Sequence, residues 1–268
     1  MRPSPIPPGP GGPPPPVPCS PARMRRGMKS ADQAGRTLAA AQRFPAPARA
    51  ASALADRLTE VIDHGARRRD RASLLVPGGR TPVALFEALC SRDLQWDRVH
   101  VSLTDERRVA ADDPASNAAM VRAHLIQDRA AAAHFHPLYQ GHTGDRGDEA
   151  ACSAALGLLP RPFDAVVLGM GGDGHIASIF PDDPALPRAL STTTESRCVV
   201  TRAPDPPHER LSLTLMTLLQ SRWIALHVNG AAKWATLEQA IATADPQRYP
   251  VYALLSQRRV PVHVYYSA

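Results

Sequence analysis

At 268 residues and 44% hydrophobic, the chain can form one large domain or two small ones, and it holds no run of about 18 apolar residues that could span a membrane. Its formal charge of +6 belongs to residues 1–43, where seven basic side chains face Asp32 alone; the other 24 basic and 24 acidic side chains cancel. That distribution argues against a basic face for nucleic acid, so neither nucleic acid nor membrane is expected as a partner.

Residues 1–43 are expected to be a Pro/Arg-rich extension outside the fold. They open MRPSPIPPGPGGPPPPVPCSP, and proline both fixes φ and removes the amide donor that helices and ladders need. The segment lacks the apolar stretch of a signal peptide. It reads as a disordered extension, as a gene start placed too early with Met24 or Met28 as the true one, or as a proline-rich ligand for an SH3-like partner. Cys19, Cys90, Cys152 and Cys198 form no C-x-x-C, so reduced thiols and a cytoplasmic location are expected.

Residues 44–268 are expected to form the folded domain. In PARAASALADRLTEVIDHG (47–65), Leu54, Leu58 and Val61 or Ile62 share one helical face, and Gly65 is expected to end the helix. SLLV (73–76) predicts a short buried strand, PGGR turns the chain, and Thr81-Pro82 is placed to cap and open the helix VALFEALC. RVHVSLT (98–104) alternates as a strand does, and Ser116 is a predicted N-cap for the helix that follows. After HFHPLY and a Gly/Asp-rich loop, a helix is predicted over 148–159. Strands are predicted at 164–170, 198–203, 223–228 and 262–267, with a helix at 231–241. Strands alternating with helices predict an α/β fold: a mainly parallel sheet with helices on both faces. Ligands in such folds collect beyond the C-terminal ends of the strands, where the polar segments after SLLV, VHVSL and DAVVL converge.

Three of those segments carry candidate chemistry. Gly169, Gly171 and Gly174 fit G-x-G-x-x-G, but a dinucleotide site also needs an acid ending the next strand, and Glu195 precedes that strand instead. In VPGGRTP (76–82), the Gly78-Gly79 amides and the following helix N-terminus can cradle an anion, with Arg80 and Thr81 beside them; an ordinary βα turn is the plainer alternative. In LTDERRV (103–109), a solvated charge run competes with a site that uses Asp105 toward hydroxyls and Arg107 toward phosphate or carboxylate. His134 and His136 lack a third ligand, so no metal is expected.

Taken in order, VPGGRTP, WDRVHVSLTDERRVAADDPASN, GMGGDGHIASIFP, HERLSLTL and NGAAKW resemble the 6-phosphogluconolactonases across residues 44–268. The resemblance implies a modified Rossmann-like fold shared with glucosamine-6-phosphate deaminases. It implies hydrolysis of 6-phospho-D-glucono-1,5-lactone in the oxidative pentose phosphate pathway, with no metal or nucleotide cofactor. His175 is then the general base toward water attacking the lactone C1, a role suited to an imidazole of ordinary pKa about 6.5. Asp173 either orients that imidazole or binds sugar hydroxyls. Lys233, Arg210 and the Gly78-Gly79 loop are the implied phosphate contacts, with Arg107 close by, Thr81 and Gly172 on the substrate side, and Asn117 supporting the Asp-Glu-Arg loop.

The sequence departs from that pattern at Arg80, where the family usually has a hydroxyl, at Pro77 and at Ala110. Arg80 can itself reach a phosphate. Two alternatives remain in view. Deaminases resemble the GDGHIA block but have a glutamate five residues after the histidine, where this chain has Phe180. A non-catalytic sugar-phosphate sensor would keep phosphate contacts yet need no base at His175. The expected partner is a small phosphosugar lactone, and the expected state a monomer or small homo-oligomer.

Overall fold

The computed structural model describes residues 32–141 and 143–268. The proline-rich segment of residues 1–31, with Cys19, lies outside them. Residues 32–39 (α1) are helical, and Ala34 is fully buried in the main core. β1 (Gln42–Phe44) pairs in parallel with β10 (Val262–Ser267). The expected boundary at residue 43/44 therefore cuts a strand, and the described residues 32–43 belong to the fold.

Among the described residues, the main sheet holds seven parallel strands in the order β1–β10–β9–β6–β2–β3–β5. Its centre is β2 (Ala72–Val76), β3 (Val99–Leu103), β6 (Ala165–Leu168) and β9 (Ile224–Asn229). Every residue of β2 and β6 is buried, as expected of strands covered on both faces. β5 (His134–His136) is an edge strand that the polar HFH pattern did not announce. α2 (Pro47–Arg69) packs on β2, β10 and α3 (Val83–Cys90) through Leu54, Leu58 and Ile62. It runs past Gly65, the expected end, to Arg69. Gly65 lies within the helix and is glycine because Asp164 crosses there: a Cβ on Gly65 would lie 2.4 Å from its carboxylate. The helix stops instead at Asp70, in the left-handed conformation at φ 61°.

A second sheet of three antiparallel strands, β4–β8–β7, stands beside the first. β4 (Asp105–Arg107) continues from β3 through Thr104, whose amide still bonds to Val76 of β2 and whose carbonyl accepts from Leu213 of β8 (Glu209–Leu213). β7 (Cys198–Arg202), a predicted strand, lies here and outside the parallel sheet. α5 (Asp145–Gly157) packs on β7, and a buried disulfide joins Cys152 to Cys198. This corrects the expectation of reduced cysteines: residues 46 apart in sequence meet across a helix–strand contact. Among the described residues, Cys90 forms no disulfide, and it is buried. The remaining helices are α4 (Asn117–His124), α6 (Leu186–Leu190), α7 (Leu215–Leu218), α8 (Ala231–Thr243) and α9 (Pro250–Ser256). No helix among the described residues is long and apolar enough to cross a membrane.

Candidate active site

Four strand ends of the main sheet deliver the residues singled out above to one cleft. β2 leads to Gly78–Thr81, β3 to Asp105–Arg107, β6 to Gly169–His175, and β9 to Lys233 on the first turn of α8. The cleft has two adjoining recesses. One, of about 310 Å³, is lined by Gly78, Gly79, Arg80, Thr81, Asn117 and Lys233; the other, of about 430 Å³, by Gly172, Asp173 and Arg210. Asp105, Arg107 and His175 belong to both and form the shared wall.

The histidine loop is shaped by backbone that tolerates no side chain. Gly171 donates to the His175 carbonyl at 3.0 Å, and a Cβ on Gly171 would lie 2.2 Å from the imidazole. Gly174 sits at φ +81°, a conformation that favours glycine, against the Tyr249 ring. Asp173 Oδ1 accepts from His175 Nδ1 at 2.7 Å and from the His175 amide at 3.1 Å. Of the two roles left open for Asp173, orienting the imidazole is the one this geometry performs. A carboxylate on Nδ1 keeps the proton there and leaves Nε2 as the acceptor. Burial alone would raise the Asp173 pKa, but the hydrogen bond and charge of His175 outweigh it and hold the carboxyl below its ordinary range. Thr236 of α8 donates to the Gly172 carbonyl at 3.0 Å and lashes the loop to the helix.

The charge run 105–108 is not a solvated face: Asp105, Glu106 and Arg108 are buried. Asp105 accepts from Ser178 Oγ at 2.6 Å and Thr104 Oγ1 at 3.1 Å. Ser178, three residues beyond His175, thus ties β4 to the histidine loop. Glu106 turns the other way and accepts from the amides of Asn117 and Ala118, each at 2.7 Å, at the start of α4. Burial raises its pKa, against the pull of those amides. Ser116 caps α4 as expected, accepting from Ala119. Arg108 points away from the cleft to Asp148 at 2.6 Å and Asp145 at 2.9 Å.

Asn117 donates through Nδ2 to the Asp105 carbonyl at 2.8 Å, and its side chain lies where a Cβ on Gly78 would be. This is why Gly78 is glycine. Gly79, at φ +87°, needs glycine for its backbone instead. Thr81 lines the recess but does not cap α3; Pro82 holds that position with no side-chain bond.

Two pairs of cations crowd the cleft. Arg107 and Arg210 are cross-strand partners on β4 and β8. Burial and then Arg107 lower the Arg210 pKa, opposed by Asp105 and Glu106. Arg107 also donates to the Ala115 carbonyl at 2.7 Å, and Arg210 to that of Pro207. Burial and then Arg80 lower the Lys233 pKa, opposed by Asp173. Lys233 and Arg210, expected together, thus stand in adjoining recesses, and Arg80 takes the place beside Lys233. His134 and His136 stack with His100 on β3 and β5, away from this cleft. Among the described residues, no cluster of three His, Cys, Asp or Glu side chains is arranged to hold a metal ion.

A family profile, glucosamine-6-phosphate isomerases/6-phosphogluconolactonase, matches residues 45–263. The chain belongs to that family. A 6-phosphogluconolactonase of Mesorhizobium japonicum is 40% identical over 224 residues, covering 84% of this chain and 93% of that protein. One from Pseudomonas aeruginosa is 42% identical over 196 residues, covering 73% and 81%. The crystal structure of a 6-phosphogluconolactonase from Shewanella baltica superposes with a TM-score of 0.82 at 39% identity, covering 85% of this chain and 97% of that one. The family's parallel sheet with flanking helices is the architecture found here. Sequence reasoning missed Ser178 and His227, which line the cleft, and Thr236, which ties its histidine loop to α8. Ser178 and Thr236 resemble ordinary small polar residues, and His227 reads as part of a core strand.

Proposed function

We propose that this protein hydrolyses 6-phospho-D-glucono-1,5-lactone to 6-phosphogluconate, a step of the oxidative pentose phosphate pathway, with His175 as the general base. The observation that carries this reading is the Asp173–His175 pair on the wall shared by a cation-lined recess and its neighbour. Water between Nε2 and the lactone C1 loses a proton to the imidazole as its oxygen bonds to C1. The carbonyl electrons move onto oxygen, giving a tetrahedral intermediate. When the carbonyl re-forms, the C1–ring oxygen bond breaks, and the imidazolium returns its proton to that ring oxygen. Asp173 stabilises the imidazolium during the interval, and a base so held contributes about 10²–10⁴ in rate.

The phosphate is assigned to the recess of Arg80, Lys233 and the Gly78-Gly79 amides, at the start of α8. That recess combines two cations, a helix N-terminus and a glycine turn. Arg107 and Arg210 supply positive charge at the reacting end, where the oxyanion develops. Phe180 packs on His175 with ring centroids 4.5 Å apart; its ring cannot relay the proton that a deaminase's glutamate would. The test is hydrolysis of freshly generated 6-phosphogluconolactone, followed against its spontaneous rate. Turnover with no requirement for the 6-phosphate would count against the assignment, and no turnover above background would refute the activity.

A further inference from the structure

His227 is a buried titratable residue of the cleft that the chemistry above leaves unused. It stands near the C-terminal end of β9, opposite Tyr265 of β10, and lines the same recess as Gly78, Arg80 and Lys233. It is only 2% exposed, and among the described residues neither of its ring nitrogens has a hydrogen-bond partner. Other histidines of the fold are satisfied: His175 by Asp173, His100 by His136, His134 by the Asp97 carbonyl and His208 by that of Ala203. A buried imidazole with both nitrogens unpaired is a poor core residue, since an apolar ring would pack there without losing hydrogen bonds to water. It makes sense if a ligand supplies the missing partner. Burial and then the charge of Lys233 lower its pKa to about 4, so the ring is neutral and carries one N–H. A neutral donor also adds no repulsion to a recess that already confines Arg80 and Lys233.

We propose that His227 is a direct ligand of the substrate's phosphate, donating one ring N–H to a phosphate oxygen beside Lys233 and Arg80. This rests on the reading of that recess as the phosphate's. The experiment compares the full chain with His227→Phe, which keeps a ring and removes both nitrogens, and His227→Gln, which keeps a donor. Each is assayed on 6-phosphogluconolactone and on unphosphorylated glucono-1,5-lactone. His227→Phe is expected to raise KM for the phosphorylated lactone by about tenfold, with kcat and the unphosphorylated reaction little changed, and His227→Gln to recover most of the loss. An equal effect on both lactones, or none, overturns the proposal. If His227→Phe fails to fold, the wild-type protein labelled with 15N-histidine is titrated with inorganic phosphate. A saturable shift of the His227 ring nitrogens supports the contact, and nitrogens that stay fixed refute it. Wild-type protein inactive on both lactones would sink the lactonase reading, while the phosphate titration still decides the contact.

Discussion

Along β2 and β6 all nine residues are buried, and only Ser73 among them is polar; β4, in the second sheet, buries two carboxylates in three residues. The parallel sheet is stabilised by apolar area, which is indifferent to direction, so its residues can be exchanged for others of similar volume. The small antiparallel sheet depends on direction. Asp105, Glu106, Arg107 and Arg108 are consecutive, yet one meets Ser178, one the start of α4, one the cleft and one Asp148. The large sheet carries the strand ends, while the small sheet orients the charges placed between them. Stability in the first is separable from function; in the second it is not.

Glu106→Ala tests that coupling with the largest expected effect. It strips the partner from the buried amides of Asn117 and Ala118, and should cost about 4 kcal/mol of unfolding free energy while disturbing Arg107 and so weakening substrate binding. Leu75→Ala in β2 should cost a similar 2–5 kcal/mol in chemical denaturation but leave KM of the folded enzyme nearly unchanged. If both variants changed KM alike, the division between the sheets would be wrong.

Reduction of Cys152–Cys198 comes next. The bond pins β7 to α5 and closes a loop containing the whole histidine segment, and losing it should cost about 3 kcal/mol. A thermal melt with and without reductant reads this directly; identical melting would mean the small sheet does not need the clamp. Lys233→Ala should raise KM for the phosphorylated lactone by roughly thirtyfold, worth about 2 kcal/mol, and hardly affect the unphosphorylated one. Equal changes on both would remove Lys233 from the phosphate.

The smallest effect is a pH dependence at Arg108–Asp148. Burial would raise the Asp148 pKa, but the Thr143 amide and hydroxyl and the Arg108 guanidinium outweigh it, so its pKa is lowered in the folded state. The unfolded chain therefore binds the proton more readily. The contribution is fully present above the unfolded value, about pH 4, and fades as pH falls through the folded value. Asp148→Asn should lose about 1–2 kcal/mol at neutral pH, and the gap from wild type should narrow below pH 4. A constant gap down to pH 2 would assign the loss to packing.

Much of the parallel sheet was legible because its signal is local. SLLV, DAVVL, WIALHV and VHVYYS are apolar runs of strand length bounded by turns, and each became a strand. The histidine loop was legible because glycines in that density answer to backbone geometry alone. The three-residue strands β1 and β5 are too short to show a period. β7 was legible as a strand, but CVV looks the same in either sheet. The helix at residues 32–39 was hidden by the proline- and arginine-rich composition around it. Cys152 and Cys198 met through tertiary packing that no spacing announces. His227 escaped because a histidine inside IALHVN reads as a tolerated core residue, and only its lack of partners in three dimensions distinguishes it.

The proposed hydrolysis turns on His175, oriented by Asp173, as the proton acceptor. The most direct measurement is the pH profile of kcat for wild type and for His175→Asn, which keeps much of the side chain's size and hydrogen bonding but cannot titrate. Wild-type activity should fall on the acid side as the imidazole is protonated. The variant should turn over about 10²–10⁴ more slowly, with the acid limb gone and binding of 6-phosphogluconate little changed. Near wild-type turnover in His175→Asn, or an acid limb that survives the substitution, would contradict the account and move the base to Asp105 or Asp173.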